Sequence, residues 1–166
     1  MAKKQAKDFM NTNKILVVIA IATSIVFACE KDNNSIQNQD FFPPIVVDFY
    51  VNLSLPDAAA LQFNGGWIYR NGVGYRGIII YRNFDNFLAF DRTCPYKTDS
   101  SCSFVSVDSS NIFMRCGQYN PNFNLCCASE FYLLEGSVKK GPANRPLKQY
   151  YVRESGGQIR VTSFPQ

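Results

Sequence analysis

The 166-residue chain contains no histidine. Without an imidazole it cannot build a Ser-His-Asp triad, in which histidine acts as the general base. The acidic residues Asp91, Asp99, Asp108 and Glu130 form no other catalytic motif. We therefore predict that the chain is not an enzyme.

Positive charge is mild and scattered. The chain has 17 lysines and arginines against 13 acidic residues, a net charge of +4. Its later arginines, such as Arg70, Arg76 and Arg82, occur singly. Nucleic-acid-binding domains concentrate basic residues on one face or along one element. The absence of such a stripe argues against a nucleic-acid partner.

The chain also lacks an apolar run long enough to span a bilayer comfortably, which takes about 20 residues. Its longest run, Ile15–Ala28, follows Lys14 and has the pattern of a secretory signal peptide. The end of this run, Val26–Cys29, resembles a bacterial lipobox, in which the cysteine receives a lipid. We predict a lipoprotein signal peptide over residues 1–28 and lipid attachment at Cys29. Ordinary secretion, with Cys29 in a removed peptide or a tail, is the alternative.

Residues 29–40 are polar apart from Ile36, which is typical of a flexible tether. The remaining residues, 41–166, form the predicted globular domain. This organisation predicts a cell outer-membrane protein that is anchored through its lipid. Its predicted partners are the membrane, through the lipid on Cys29, and another envelope protein.

Short β-strand patterns fill the globular part. Residues 47–55 alternate between apolar and polar side chains, which is the period of a half-buried strand. Asn71-Gly72 is a hairpin-turn signal. No long helical period follows the signal, so the pattern predicts an antiparallel sandwich or barrel. The other predicted strands are Ile78–Arg82, Phe87–Asp91, Ile112–Cys116, Glu130–Leu134, Gln149–Arg153 and Gln158–Thr162.

Two stretches are similar to Rieske iron–sulfur domains. Ala89-Phe90-Asp91 followed by Cys94-Pro95 matches the family's first cysteine loop. Downstream, the matching positions are Ser129, Phe131, Leu133, Gly136, Gly141, Pro142, Ala143, Pro146, Leu147, Tyr150 and Val152. The resemblance implies an all-β fold, a Rieske-like antiparallel β-sandwich with two cysteine-bearing loops at one tip.

The resemblance does not extend to the cluster ligands. A Rieske cluster binds one iron through two cysteines and the other through two histidines. The corresponding positions in this chain are Cys94, Tyr96, Cys116 and Tyr119. A second alignment of the downstream pair places Asn124 at the cysteine and Cys127 at the histidine. With both histidines missing, we expect these positions to be vestigial and the chain to bind no cofactor or metal. The alternative is a [2Fe–2S] cluster ligated by cysteines alone.

Five cysteines remain beyond Cys29, and a secreted chain would hold them in oxidising surroundings, where disulfides persist. The resemblance implies that Cys102 pairs with Cys126 or Cys127, as in the disulfide that joins the cluster loops of respiratory Rieske proteins. It also implies a bridge from Cys94 to Cys116 across the vacated iron site. Because five is odd, one thiol is left over.

Three classes of function follow. The first is a structural or binding module of the cell envelope, built on a cluster-less Rieske-like domain. The second is an electron-transfer protein with an atypical all-cysteine iron–sulfur cluster. The third is a thiol-redox protein that uses Cys126 or Cys127, although the chain lacks a Cys-x-x-Cys motif.

Overall fold

A computed structural model describes residues 45–119 and 124–165. These residues contain ten strands and one 3₁₀ helix, Pro56–Gln62, between the first two strands. In chain order the strands are β1 (Asp48–Asn52), β2 (Trp67–Arg70), β3 (Ile78–Asn83), β4 (Asn86–Asp91), β5 (Val105–Val107), β6 (Phe113–Gln118), β7 (Asn124–Tyr132), β8 (Val138–Lys140), β9 (Gln149–Ser155) and β10 (Gln158–Thr162).

The strands form two antiparallel sheets. The larger has six strands in the order β1-β10-β9-β4-β3-β2, and the smaller has four in the order β5-β6-β7-β8. Both cysteine-bearing segments flank or belong to the smaller sheet. The predicted all-β antiparallel sandwich is therefore confirmed.

The core has two parts because the central strands of the larger sheet are buried on both faces. Ile78 and Ile80 of β3 pack with Leu61 of the 3₁₀ helix, whereas Ile79 packs with Phe90 and the smaller sheet. Side chains alternate between faces along a strand. A strand covered on both faces therefore needs consecutive apolar residues, which explains the run of three isoleucines.

Most of the predicted strands are present, with shifted ends. The main difference is β7, which begins at Asn124 rather than at Glu130, so Cys126 and Cys127 lie in a strand and not in a loop. The sequence also did not reveal β5 or β8. Each has only three residues, too few to show a period.

The predicted signal peptide, the lipid site Cys29 and the tether lie outside the described residues. Among the residues that the structure describes, no helix is both long and apolar enough to cross a membrane.

Asp91 connects the end of β4 to the cysteine segment that follows it. Its side chain is fully buried. Its carboxylate accepts hydrogen bonds of 2.6 to 2.9 Å from the N–H and hydroxyl of Thr93, the N–H of Tyr75 and the hydroxyl of Tyr150. A buried carboxylate is tolerated when its oxygens are hydrogen-bonded in this way. Asp91 therefore fixes the direction in which the chain leaves the larger sheet towards Cys94.

Replacing Asp91 is expected to destabilise the fold more than removing any one of its partners. Asp91→Ala leaves several buried donors without an acceptor, at about 1–3 kcal/mol for each buried group. Tyr150→Phe removes one hydroxyl and should cost about 1 kcal/mol. Urea denaturation of both variants measures the two losses. Equal losses would show that Asp91 is not the shared acceptor on which this corner depends.

Candidate metal centre

The first cysteine segment, Thr93–Ser103, is closed by backbone pairing at its base. Thr93 pairs with Phe104, and the Cys94 N–H donates to the Ser103 carbonyl at 3.1 Å. The buried Ser103 hydroxyl also donates to the Tyr96 carbonyl at 2.7 Å. These contacts hold Cys94 at a fixed position where β4 meets the smaller sheet.

The outer part of this segment is held by one cation. The Arg76 guanidinium donates to three backbone carbonyls, at distances of 2.8 to 3.2 Å. The acceptors are Thr98, Ser100 and Ser101. Charged donors make stronger hydrogen bonds than neutral ones. The segment is therefore ordered although it lacks regular secondary structure.

A β-bulge between β6 and β7 shapes the second cysteine segment. The pairs on either side of the bulge are Arg115 with Glu130 and Gly117 with Leu125. Between these pairs β6 has one residue, Cys116, while β7 has the four residues 126–129. A bulge bends its strand and redirects its side chains. It therefore gathers Cys126, Cys127 and Ser129 opposite Cys116.

Cys126 and Cys127 are adjacent in sequence but have different partners. Cys126 forms a disulfide with Cys102, with a Cα–Cα distance of 5.4 Å, and so ties the two segments together. Cys127 Sγ lies 3.8 Å from Cys94 Sγ. Neighbouring side chains of a strand point to opposite faces, which accounts for this division. The Cys102–Cys126 bond is one of the two pairings that the resemblance implied.

Cys94, Cys116 and Cys127 together form a site that we call the three-thiol site. Their three sulfur atoms all lie within 4.8 Å of one another. Cys94 and Cys116 are fully buried, and Cys127 is half-buried. All three are free thiols, so the expected Cys94–Cys116 disulfide is not formed. The expectation that the chain binds no cofactor was also wrong, because three convergent thiols form a candidate ligand set for a metal-containing cofactor.

Hydrogen bonding inside the site separates the acidities of its thiols. The hydrogen bond from the Cys116 thiol is the main reason why the pKa of Cys94 falls to about 6. The same contact, together with burial, raises the pKa of Cys116. This contact therefore favours a thiolate at Cys94 over a thiolate at Cys116. Thiolate is the form of cysteine that binds metals.

Ser129 is placed to support a thiolate at Cys127. Its hydroxyl oxygen accepts hydrogen bonds from the Ala143 N–H at 2.9 Å and from the Cys127 thiol at 3.1 Å. Ser129 is fully buried. Once Cys127 has lost its proton, the hydroxyl can donate to the sulfur. Hydrogen bonds of this kind orient metal ligands and tune their basicity.

The two tyrosines at the expected histidine positions have different surroundings. Tyr96 is half-buried and packs against the apolar cluster that contains Cys94 and Cys116. Tyr119 is exposed and lines a surface pocket of about 410 Å³ with Trp67, Tyr69 and Arg92.

The sequence did not reveal that the three thiols form one site. The resemblance implied a disulfide between Cys94 and Cys116. It left Cys127 either as the disulfide partner of Cys102 or as the unpaired thiol. The second alignment, which placed Cys127 at a ligand position, was the signal that could have identified it.

The residues at this tip do not fit a Rieske cluster. Such a cluster needs two imidazole ligands, and the chain contains no histidine. The donors present are sulfur atoms.

Comparisons with known proteins find similarity only to solved structures, and this similarity concerns the fold. No protein-family model and no curated protein matches the chain. Among solved structures, the ferredoxin–oxygenase complex of carbazole 1,9a-dioxygenase includes a chain that is 19% identical to this one, with a TM-score of 0.45. The match covers 70% of this chain and 95% of that one. The carbazole 1,9a-dioxygenase ferredoxin of Nocardioides aromaticivorans is 16% identical, with a TM-score of 0.39 and coverages of 60% and 86%.

A third structure comes from Mycobacterium tuberculosis and is described as the small subunit of an NADH-dependent nitrite reductase. It is 16% identical, with a TM-score of 0.41, and the match covers 74% of this chain and all of that one. At this level of similarity, what this chain binds has to follow from its own residues.

Gly117 allows β6 and β7 to approach closely beside the three-thiol site, and replacing it should be costly. A Cβ there would lie 2.2 Å from the Asn124 carbonyl oxygen, on a backbone with φ of 130°. Gly72→Ala is the matched control, since its φ is 78° and nothing lies within 4 Å of the added Cβ. We expect the control to cost about 1–2 kcal/mol through backbone strain alone. Gly117→Ala should cost about 2 kcal/mol more because of the clash.

Urea denaturation of the two glycine variants, with the disulfide intact, measures this difference. Similar losses in both would mean that the strands at Gly117 are not in close contact.

Proposed function

We propose that the chain is an electron-transfer protein whose redox centre is iron held by cysteine thiolates alone. The observation that supports this function is the convergence of Cys94, Cys116 and Cys127, with sulfur atoms within 4.8 Å. These thiols occupy the tip at which the Rieske resemblance places a redox centre. A thiolate donor set suits iron as well as an imidazole-containing one does.

The surroundings of the thiols suit a redox centre. Cys94 and Cys116 lie in an apolar cluster with Phe90, Met114 and Phe131, which keeps water away from two of the ligands. Cys127 is only half-buried, so one side of the site is close to the surface. Iron bound there would supply one-electron chemistry, by changing between its ferric and ferrous states.

The Cys102–Cys126 disulfide supports the same site from outside. It joins the first cysteine segment to β7, which carries Cys127. Such a crosslink limits the separation of the two segments even when no metal is bound. The thiols of Cys94 and Cys127 therefore stay within reach of a common ligand.

The proposed setting is the cell envelope. Its support is the sequence, in which the apolar run Ile15–Ala28 precedes Cys29. We propose lipid attachment at Cys29, location at the outer membrane, and a redox protein of the envelope as electron donor or acceptor. In this proposal the chain itself is not an enzyme.

The metal content of the full-length chain tests the redox function. Chain isolated from membranes in detergent without oxygen should contain iron and be coloured, and the colour should change reversibly on chemical reduction and reoxidation. Cys127→Ser should lose most of the iron and the colour, because it removes one ligand sulfur. Metal analysis and visible absorption spectroscopy measure these outcomes.

Tyr119→Phe is the matched control for this experiment. Its side chain lines the aromatic pocket, so the variant should retain iron and colour. A colourless wild-type chain without iron, isolated with its three thiols reduced, would contradict the function. So would equal iron contents in wild type and Cys127→Ser.

The membrane anchor has a separate test. Cys29→Ala should shift the mature protein from the membrane fraction to the soluble fraction of the envelope, because the lipid attachment atom is gone. Metabolic labelling with a fatty acid should mark the wild type and not the variant. Labelling that persists in Cys29→Ala would show that the lipid, if present, is attached elsewhere.

A further inference from the structure

We infer that the three-thiol site binds a single soft metal ion through three thiolates rather than a two-iron cluster. The inference concerns the same site as the proposed function, but it does not depend on that function, since a redox-inactive ion could occupy the site as well.

The sulfur separations match ligands of one ion. With metal–sulfur bonds of about 2.3 Å, two tetrahedral ligands lie about 3.8 Å apart, and no two ligands of one ion can be more than about 4.6 Å apart. Cys94 Sγ and Cys127 Sγ are 3.8 Å apart. All three sulfurs lie within 4.8 Å of one another. Small side-chain adjustments therefore bring every pair within range of a common ion.

A two-iron cluster requires a different distribution of ligands. Each iron needs two protein ligands, and bridging sulfides separate the two irons, so the ligand pairs lie on opposite sides of the cluster. The three-thiol site is one compact group. The other two cysteines among the described residues, Cys102 and Cys126, are joined to each other. No second ligand pair is therefore available there from thiols.

The chemistry of the site favours a soft ion with one open position. Thiolates select zinc, copper(I) and iron over the harder magnesium and calcium. Within residues 45–119 and 124–165, the group of potential cysteine, histidine and carboxylate ligands contains only these three members. Three protein ligands leave the fourth tetrahedral position to water. The half-buried Cys127 marks the side from which water can enter.

Ser129 is inferred to be a positioning residue for this ion. Its hydroxyl is held by the Ala143 N–H and faces Cys127 Sγ. Removing such a hydrogen bond to a metal ligand typically weakens metal binding about 10–100-fold. Ser129→Ala keeps all three thiols, so its effect separates ligand support from ligand loss.

The test titrates the metal-free, full-length chain in detergent with ferrous iron alone, without sulfide and without oxygen. We expect one iron per chain, and X-ray absorption should show sulfur neighbours but no second iron. Cys127→Ser should lose most binding, and Ser129→Ala should bind about 10-fold more weakly. An intact Cys102–Cys126 disulfide, verified by mass, shows that each variant is folded at the site.

The outcomes distinguish this inference from the proposed function. Two irons with two sulfides per natively isolated chain would overturn the single-ion inference and leave electron transfer standing. One zinc ion per native chain would support the single ion and overturn electron transfer. Absence of iron binding in the titration, or equal binding by wild type and Cys127→Ser, would overturn the inference.

Discussion

The constraint on which the site depends is the bulge between β6 and β7. One residue of β6, Cys116, lies opposite the four residues 126–129 of β7. Without these additional residues, β7 could not supply both a disulfide partner and a free thiol at one height of the sheet. Gly117 makes the arrangement possible, because a side chain there would collide with the backbone of Asn124. Backbone geometry therefore sets the chemistry of this tip.

The first cysteine segment, which supplies Cys94 to the site, is held in place by different interactions. The first cysteine segment has little regular structure, and it is held by buried polar groups instead. Asp91 gathers donors at its start, Ser103 closes its base, and Arg76 binds the carbonyls of its outer turn. Buried polar groups that are fully hydrogen-bonded favour one conformation, because each alternative leaves some of them without a partner. Cys94 is therefore presented to β6 and β7 in a fixed position.

The sequence predicted the sheet architecture well where strands carry a clear pattern. The three consecutive isoleucines of β3 indicate a strand that is buried on both faces. The alternation in β1 indicates a strand that is buried on one face. The three-residue strands β5 and β8 carry no such pattern, and they form because longer neighbours pair with them. The early start of β7 was missed for a similar reason. Its first residues, from Asn124, are strand because β6 lies beside them.

The sequence by itself determined that sulfur is the ligand atom available to a metal site at this tip. With no histidine in the chain, sulfur is the donor that remains at the positions resembling Rieske ligands. Only the tertiary structure decided which sulfurs act together. Cys126 and Cys127 are chemically identical neighbours, and nothing in their spacing says which one bonds to Cys102. The alternation of side chains along β7, displaced by the bulge, sends Cys126 to the disulfide and Cys127 to Cys94 and Cys116.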